Sequence, residues 1–252
     1  LDALAKPPGS LGELENYAIR LAGITGRLPP DISRRAILVF SADNGVCAEG
    51  IGSAPQSVTR AQTINFARGL TGVATLARAY RATVVAADVG VNEPIDYPGV
   101  RDLRVRGGTG NIRVEDAMTR AEVVAALRSG AMLAQEMAVR GFGMIGVGEM
   151  GIGNTTTSTA VLSALTGVDP DPLCGIGGGM GETRLALKRR VVRDAIERAK
   201  ADPNDHIDVL AKLGGLDICA MAGAYLGAAA ARIPVVLDGL IGSVAALCAV
   251  RI

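Results

Sequence analysis

The ten residues from Val147 to Thr156, VGEMGIGNTT, set a carboxylate, Glu149, directly beside a glycine-rich turn. Gly151 and Gly153 allow backbone N–H groups to approach an anion closely. Asn154, Thr155 and Thr156 add side-chain donors, and a helix expected to start near Thr155 adds the partial positive charge of its N-terminus. The combination suits a phosphate monoester. No Lys-Ser or Lys-Thr follows these glycines, so the Walker pattern is absent and triphosphate hydrolysis is disfavoured. Gly146, Gly148 and Gly151 match the dinucleotide GxGxxG pattern formally. However, the acid about 20 residues on, Asp169, falls in the proline-bearing loop LTGVDPDP rather than at a strand end, which counts against a nicotinamide oxidoreductase.

A second glycine turn, CGIGGGMG from 174 to 181, brings Gly177, Gly178 and Gly179 ahead of a helix carrying Lys188, Arg189 and Arg190. Lys188 is placed to reach back to a phosphate, although a basic helical run is by default a solvated face. The stretch SAPQSVT from 53 to 59 offers Ser53 and Gln56, with Gln62 on the helix that follows, as amide and hydroxyl partners for a heterocycle. On its own it would be an ordinary loop and helix cap. No metal site is expected: Cys47, Cys174, Cys219 and Cys248 form no CxxC pair, and His206, the lone histidine, has no second ligand nearby. The cysteines fit reduced thiols in a cytoplasmic protein.

These groups need a frame. Apolar runs at Ala36–Ser41, Thr83–Val89, Gly143–Val147 and Ile233–Leu237 alternate with helical stretches such as Arg120–Arg140 and Arg184–Ala201. Strands apolar on both faces belong to a parallel sheet covered by helices, so the class is α/β. Ligands of such sheets bind beyond the carboxyl ends of the strands, where Asp43, Asp88, Glu149 and Asp238 would share one rim. Ser10 and Glu13 suggest a capping box opening an amphipathic helix outside the sheet. Ile218–Ala231 falls short of the about 20 residues that span a bilayer, and fits a buried or interface helix. With 26 basic and 25 acidic residues, no bulk field attracts nucleic acid or a membrane surface.

The segments KPPGSLGELE, SADNGVCAEGI, APQSVT, NFARG, DVGV, GEMGIGNTTT and LGGLDICAMAGAYLGAAAARIPVVLDGLI run in order along the chain. In them the sequence resembles the nicotinate-nucleotide:dimethylbenzimidazole phosphoribosyltransferase family, which makes the lower-ligand nucleotide of cobamides. The resemblance implies a Rossmann-like parallel sheet with a small helical domain: residues 1–30 in the small domain, 31–252 in the α/β domain, and the family's C-terminal part lacking. It implies transfer of the phosphoribosyl group of nicotinate mononucleotide to 5,6-dimethylbenzimidazole or a related base, by a homodimer with no cofactor. Nicotinate leaves from a pyridinium, so its departure neutralises a positive charge without a pyrophosphate-binding magnesium. By the same resemblance, Glu149 would stabilise a ribosyl cation-like transition state or hold the ribose hydroxyls. Gly151, Gly153, Asn154, Thr155, Thr156, Gly177, Gly178, Gly179 and Lys188 would clamp the phosphate and ribose, and Ser53, Gln56, Gln62 and Met150 would meet the base.

Three stretches depart from the family pattern: Asn44 stands in place of a histidine, GGGMG replaces GRGTG, and the glutamine after VT falls on Ala61, one place before Gln62. The family's general-base glutamate belongs to a later GEG segment, which this sequence does not contain. The alternative to an active enzyme is a catalytically incomplete paralogue that binds the nucleotide or supports an active partner subunit.

Overall fold

The computed structural model describes Leu1, residues 3–176 and residues 181–252. The elements run α1 (Glu13–Thr25), β1 (Arg35–Ala42), a short 3-10 turn (Gly45–Glu49), α2 (Ser57–Arg68), α3 (Gly72–Ala79), β2 (Ala82–Gly90), β3 (Val100–Asp102), α4 (Arg120–Val139) and β4 (Met144–Met150). They continue with α5 (Asn154–Thr166), α6 (Pro170–Leu173), α7 (Glu182–Ala199), α8 (His206–Leu213), α9 (Leu216–Ala230), β5 (Val235–Val236) and α10 (Gly239–Arg251).

Every strand pairing is parallel and the order is β3-β2-β1-β4-β5. The expected α/β class and Rossmann-like sheet are what the chain adopts. From β1 the chain moves outward to β2 and β3, then returns to start β4 on the other flank of β1. The crossovers therefore leave β1 and β4 in opposite directions, and the crevice between those two strand ends is where such sheets bind ligands.

Several expectations need correction. β4 runs three residues beyond the expected end, so Glu149 is a strand residue paired with Phe40. The last strand shrinks to Val235–Val236, because Pro234 has no N–H to donate and leaves only its carbonyl to accept from Ile145. Strand β3, short and charged, has no counterpart among the expected strands. The capping box proposed from Ser10 and Glu13 does not form: Gly12 precedes α1 and makes no side-chain cap. A true box occurs at α4, where Thr119 accepts from the Glu122 N–H and Glu122 accepts from the Thr119 N–H. Helix α1 buries none of its residues, and Leu14, Tyr17 and Ile19 stay exposed.

Helix α9 is apolar on all sides, as a helix buried within a domain must be, and nearly all of it is inaccessible. It is a core helix within this chain. It lies backbone-close to α4: a Cβ placed on Gly223 would come 1.9 Å from the Leu127 carbonyl oxygen, and one on Gly130 would come 1.8 Å from that of Ala220. Neither backbone can yield without moving α9, which carries Asp217 into the site. Gly223→Val is therefore expected to cost about 2 kcal/mol or more, seen in calorimetry as a Tm lower by roughly 4–8 °C. An unchanged Tm would show that the helices separate freely.

Candidate active site

On β1 and β4, residues alternate between a covered and an open face. Ala36, Leu38, Phe40, Ile145 and Val147 face the core, while Arg35, Ile37, Val39, Met144, Gly146, Gly148 and Met150 line a cleft of about 910 Å³. Helix α2 supplies Val58, Gln62 and Phe66 to its wall, and Glu149 stands at its rim. A Cβ on Gly148 would meet nothing within 4 Å. The first two glycines of the formal dinucleotide pattern thus pave the floor of this cleft.

Above the cleft, the turn after β4 is bound into the protein. Gly153 sits at φ 92°, and its missing Cβ would fall 2.7 Å from Cys47 Sγ; one on Gly151 would fall 2.6 Å from the Ala42 carbonyl oxygen and 2.8 Å from Asp217 Oδ2. Ile152 donates its N–H to Thr59 Oγ1 (3.2 Å), and its carbonyl accepts from Cys47 Sγ (2.9 Å). The N–H groups of Asn154 and Thr156 bond the carbonyls of Gly151 and Gly153. Gly151 and Gly153 are required for packing against the end of β1, a different reason from the open anion cradle expected of them.

Two further residues of this turn are engaged within the protein. Asn154, expected to offer its amide to a phosphate, donates Nδ2 to Glu149 Oε2 at 2.6 Å and to Asp217 Oδ2 at 2.9 Å. Thr156 is wholly buried, with its hydroxyl lacking a partner among the described residues. What remains for a ligand in that first turn is Thr155, whose hydroxyl accepts from Lys188 Nζ at 2.9 Å.

Lys188 is not on a solvated face. It is fully buried, and Nζ also donates to the Gly175 carbonyl at 3.1 Å. Burial pulls its pKa below the usual lysine value. An ammonium carries three donors, and among the described residues no carboxylate pairs with this one. Gly177, Gly178 and Gly179 lie outside the described residues.

Two carboxyl groups share the centre. Burial, and then the charge of Asp217, raise the Glu149 pKa to about 7, while the Asn154 N–H opposes the rise. Asp217, from the first turn of α9, is raised to about 6, chiefly by burial. Asp43 and Asp88 are buried and accept from backbone N–H groups. The first holds the Asn92 N–H and the second those of Gly90 and Val91, and Arg104 lies 3.7 Å from Asp88. Asp238 is exposed. Gln62 and Met150 line the cleft with Glu149. Ser53 and Gln56 do not; they border a separate depression of about 530 Å³ with Arg184, and Gln56 donates to the Asn44 carbonyl. Among the described residues no group of three or more His, Cys, Asp or Glu is placed to hold a metal ion.

Sequence inspection missed Asp217, whose signal was a single acid opening an otherwise apolar helix. It also missed Thr157, which donates to the Asn44 side chain at 3.4 Å.

A phosphoribosyltransferase family model matches residues 1–252. Nicotinate-nucleotide–dimethylbenzimidazole phosphoribosyltransferase of Ruminiclostridium cellulolyticum is 48% identical over 252 residues, which is all of this chain and 72% of that protein. The chain belongs to the nicotinate-nucleotide–dimethylbenzimidazole phosphoribosyltransferase family. The Acetivibrio thermocellus member is 44% identical over 251 residues, again covering 72% of its length. The crystal structure of CobT from Thermus thermophilus, 41% identical, superposes with a TM-score of 0.93 over 99% of this chain and 75% of that one.

Protonation of Glu149 links site and stability. Between its ordinary value of 4.5 and about 7, the folded protein holds a proton that the unfolded chain releases. The stability that Glu149 contributes therefore falls as pH rises through that window and is level above it. Glu149→Gln removes this loss, so its Tm relative to the unsubstituted protein should be several degrees more favourable at pH about 8 than at pH about 5. A pH-independent difference in calorimetry would mean that Glu149 titrates normally.

Proposed function

We propose that this chain transfers the phosphoribosyl group of nicotinate mononucleotide to 5,6-dimethylbenzimidazole or a related base, giving α-ribazole 5′-phosphate and nicotinate for the nucleotide loop of cobalamin. The observation that carries this assignment is the layout of the rim. Glu149 and Lys188 are bonded to consecutive residues, Asn154 and Thr155, with the apolar cleft on one side and the buried ammonium on the other. One nucleotide needs charge of both signs within its own length: a cation for the phosphate and an anion for the ribose as C1′ becomes cation-like. The lining of Val58, Phe66 and Met150 suits a flat apolar base, with the Gln62 amide to orient it.

In the reaction so assigned, Lys188 and Thr155 bind the 5′-phosphate and hold the ribose still. The bond from C1′ to the nicotinate nitrogen breaks with its electron pair going to the pyridine ring, and the azole nitrogen of the base attacks C1′ from the opposite face. Glu149, ionised, faces the developing positive charge. The azole N–H proton is lost to a base; no described residue of the cleft other than Glu149 carries a carboxylate with a raised pKa. Homodimeric assembly in the cytoplasm completes the proposal, and the exposed Leu14, Tyr17 and Ile19 on α1 favour an apolar contact of that kind.

Incubation with nicotinate mononucleotide and 5,6-dimethylbenzimidazole should release nicotinate and form α-ribazole 5′-phosphate in equal amounts. Nucleotide binding without turnover would instead favour a catalytically incomplete paralogue. Glu149→Gln should lower kcat about 100-fold or more and change nucleotide affinity little, because the interaction it removes forms in the transition state. Equal losses in both would make Glu149 a binding residue. Lys188→Met, which preserves volume, should raise the KM for nicotinate mononucleotide on the order of 10- to 100-fold, the worth of a charge-assisted phosphate contact; an unchanged KM would remove Lys188 from the phosphate site.

A further inference from the structure

Asp217 is wholly buried at the start of α9, a helix otherwise made of apolar and small residues. Its Oδ1 accepts the Ile218 N–H at 3.0 Å, and its Oδ2 accepts from Asn154 Nδ2 at 2.9 Å. The same nitrogen donates to Glu149 Oε2 at 2.6 Å. The two carboxyl oxygens are thus no farther apart than the two bonds laid end to end, inside the protein, where like charges repel strongly.

Among the described residues, the surroundings supply no counter-charge. Asp43, at the end of β1, repels Asp217. Cys219, two residues further along α9, is a neutral thiol that Asp217 disfavours from ionising, and Cys248 of α10 lies beyond it. Asp88 of β2 is matched by Arg104, and Lys188 of α7 is turned to Thr155 and Gly175.

We propose that Asp217 is a positioning residue for Glu149, and that the pair carries one proton between them while the site is ligand-free and releases it to solvent when the phosphoribosyl donor binds. The Asn154 amide, with one N–H for each carboxyl, fixes both oxygens whichever group holds the proton. The pyridinium and the cation-like ribose then favour the doubly ionised pair, so Glu149 becomes an anion where positive charge develops. The catalytic part of this proposal rests on the phosphoribosyl transfer assigned above; the shared proton does not.

Two readouts separate the parts. In infrared titration of the ligand-free protein, a buried protonated carboxyl should disappear near neutral pH, and in Asp217→Asn it should disappear about one pH unit lower, since the repelling charge is gone. A carboxyl absent from the unsubstituted protein at pH about 6 overturns the proposal, and that spectrum needs neither turnover nor a folded variant. In turnover, the acid limb of kcat/KM should move down by about one pH unit in Asp217→Asn and return in Asp217→Glu. A uniform fall in kcat with the limb unmoved would reduce Asp217 to a structural residue and overturn the positioning role. Failure of the unsubstituted protein to transfer phosphoribose would defeat the assigned reaction, leaving the infrared result to decide the shared proton.

Discussion

Asn154 donates one N–H of its side chain to each of two carboxyl groups, the wholly buried Asp217 and the half-buried Glu149, and the rim of the sheet is arranged around keeping it there. An amide is neutral, so it binds the pair without cancelling its charge. A lysine in the same place would form a stable ion pair and leave nothing to attract a cationic centre. The cost is two acids held close together and largely out of solvent, which the structure meets with raised pKa values and a locked backbone. That combination, acidic groups poised near neutrality at the mouth of a cleft, is characteristic of sites that act on charge rather than of sites that merely hold shape.

Each layer of the fold contributes to that arrangement. Pairing of β1 with β4 brings Phe40 opposite Glu149 and sets the two strand ends side by side. Because Gly151 and Gly153 have no Cβ, the turn after β4 can lie against Ala42, Asn44 and Cys47. Close packing of α9 on α4 then delivers Asp217 to the far side of the amide. Lys188 of α7 places its ammonium one residue along α5 from Asn154, at Thr155, without pairing with either carboxyl. In the proposed reaction a nucleotide laid from Lys188 to the cleft would pass over Glu149 at its ribose, with both charges set against one ligand.

Much of this was legible in the sequence, and the failures have physical causes. The long apolar runs of β1, β2 and β4 can be buried on both faces only in a parallel sheet, and that gave the class. The three-residue Val100–Asp102 strand carries two charges and has no run to detect. At α1, Ser10 and Glu13 have the spacing of a capping box, but Gly12 ends the approach and the helix starts later. Asn154 looked like a phosphate donor because its type and neighbours allow that role. Which way an amide faces depends on Asp217, some 63 residues away in sequence, and a lone acid within an apolar helix gives no periodic signal. Ser53 and Gln56 are close to Gln62 in sequence, yet the turn into α2 sends them to a different depression. The family resemblance identified the chemistry correctly at the level that the relatives support.

Everything proposed for the site turns on Glu149 being protonated near neutrality without ligand and becoming an anion once the nucleotide is bound. Carbon-13 NMR of protein labelled at the glutamate carboxyls, with Glu149→Gln to assign the resonance, measures this directly. The Glu149 resonance should titrate near pH 7 in the free protein and at distinctly lower pH with nicotinate mononucleotide bound. A titration in the ordinary range near 4.5, or one that the nucleotide leaves unmoved, would contradict it.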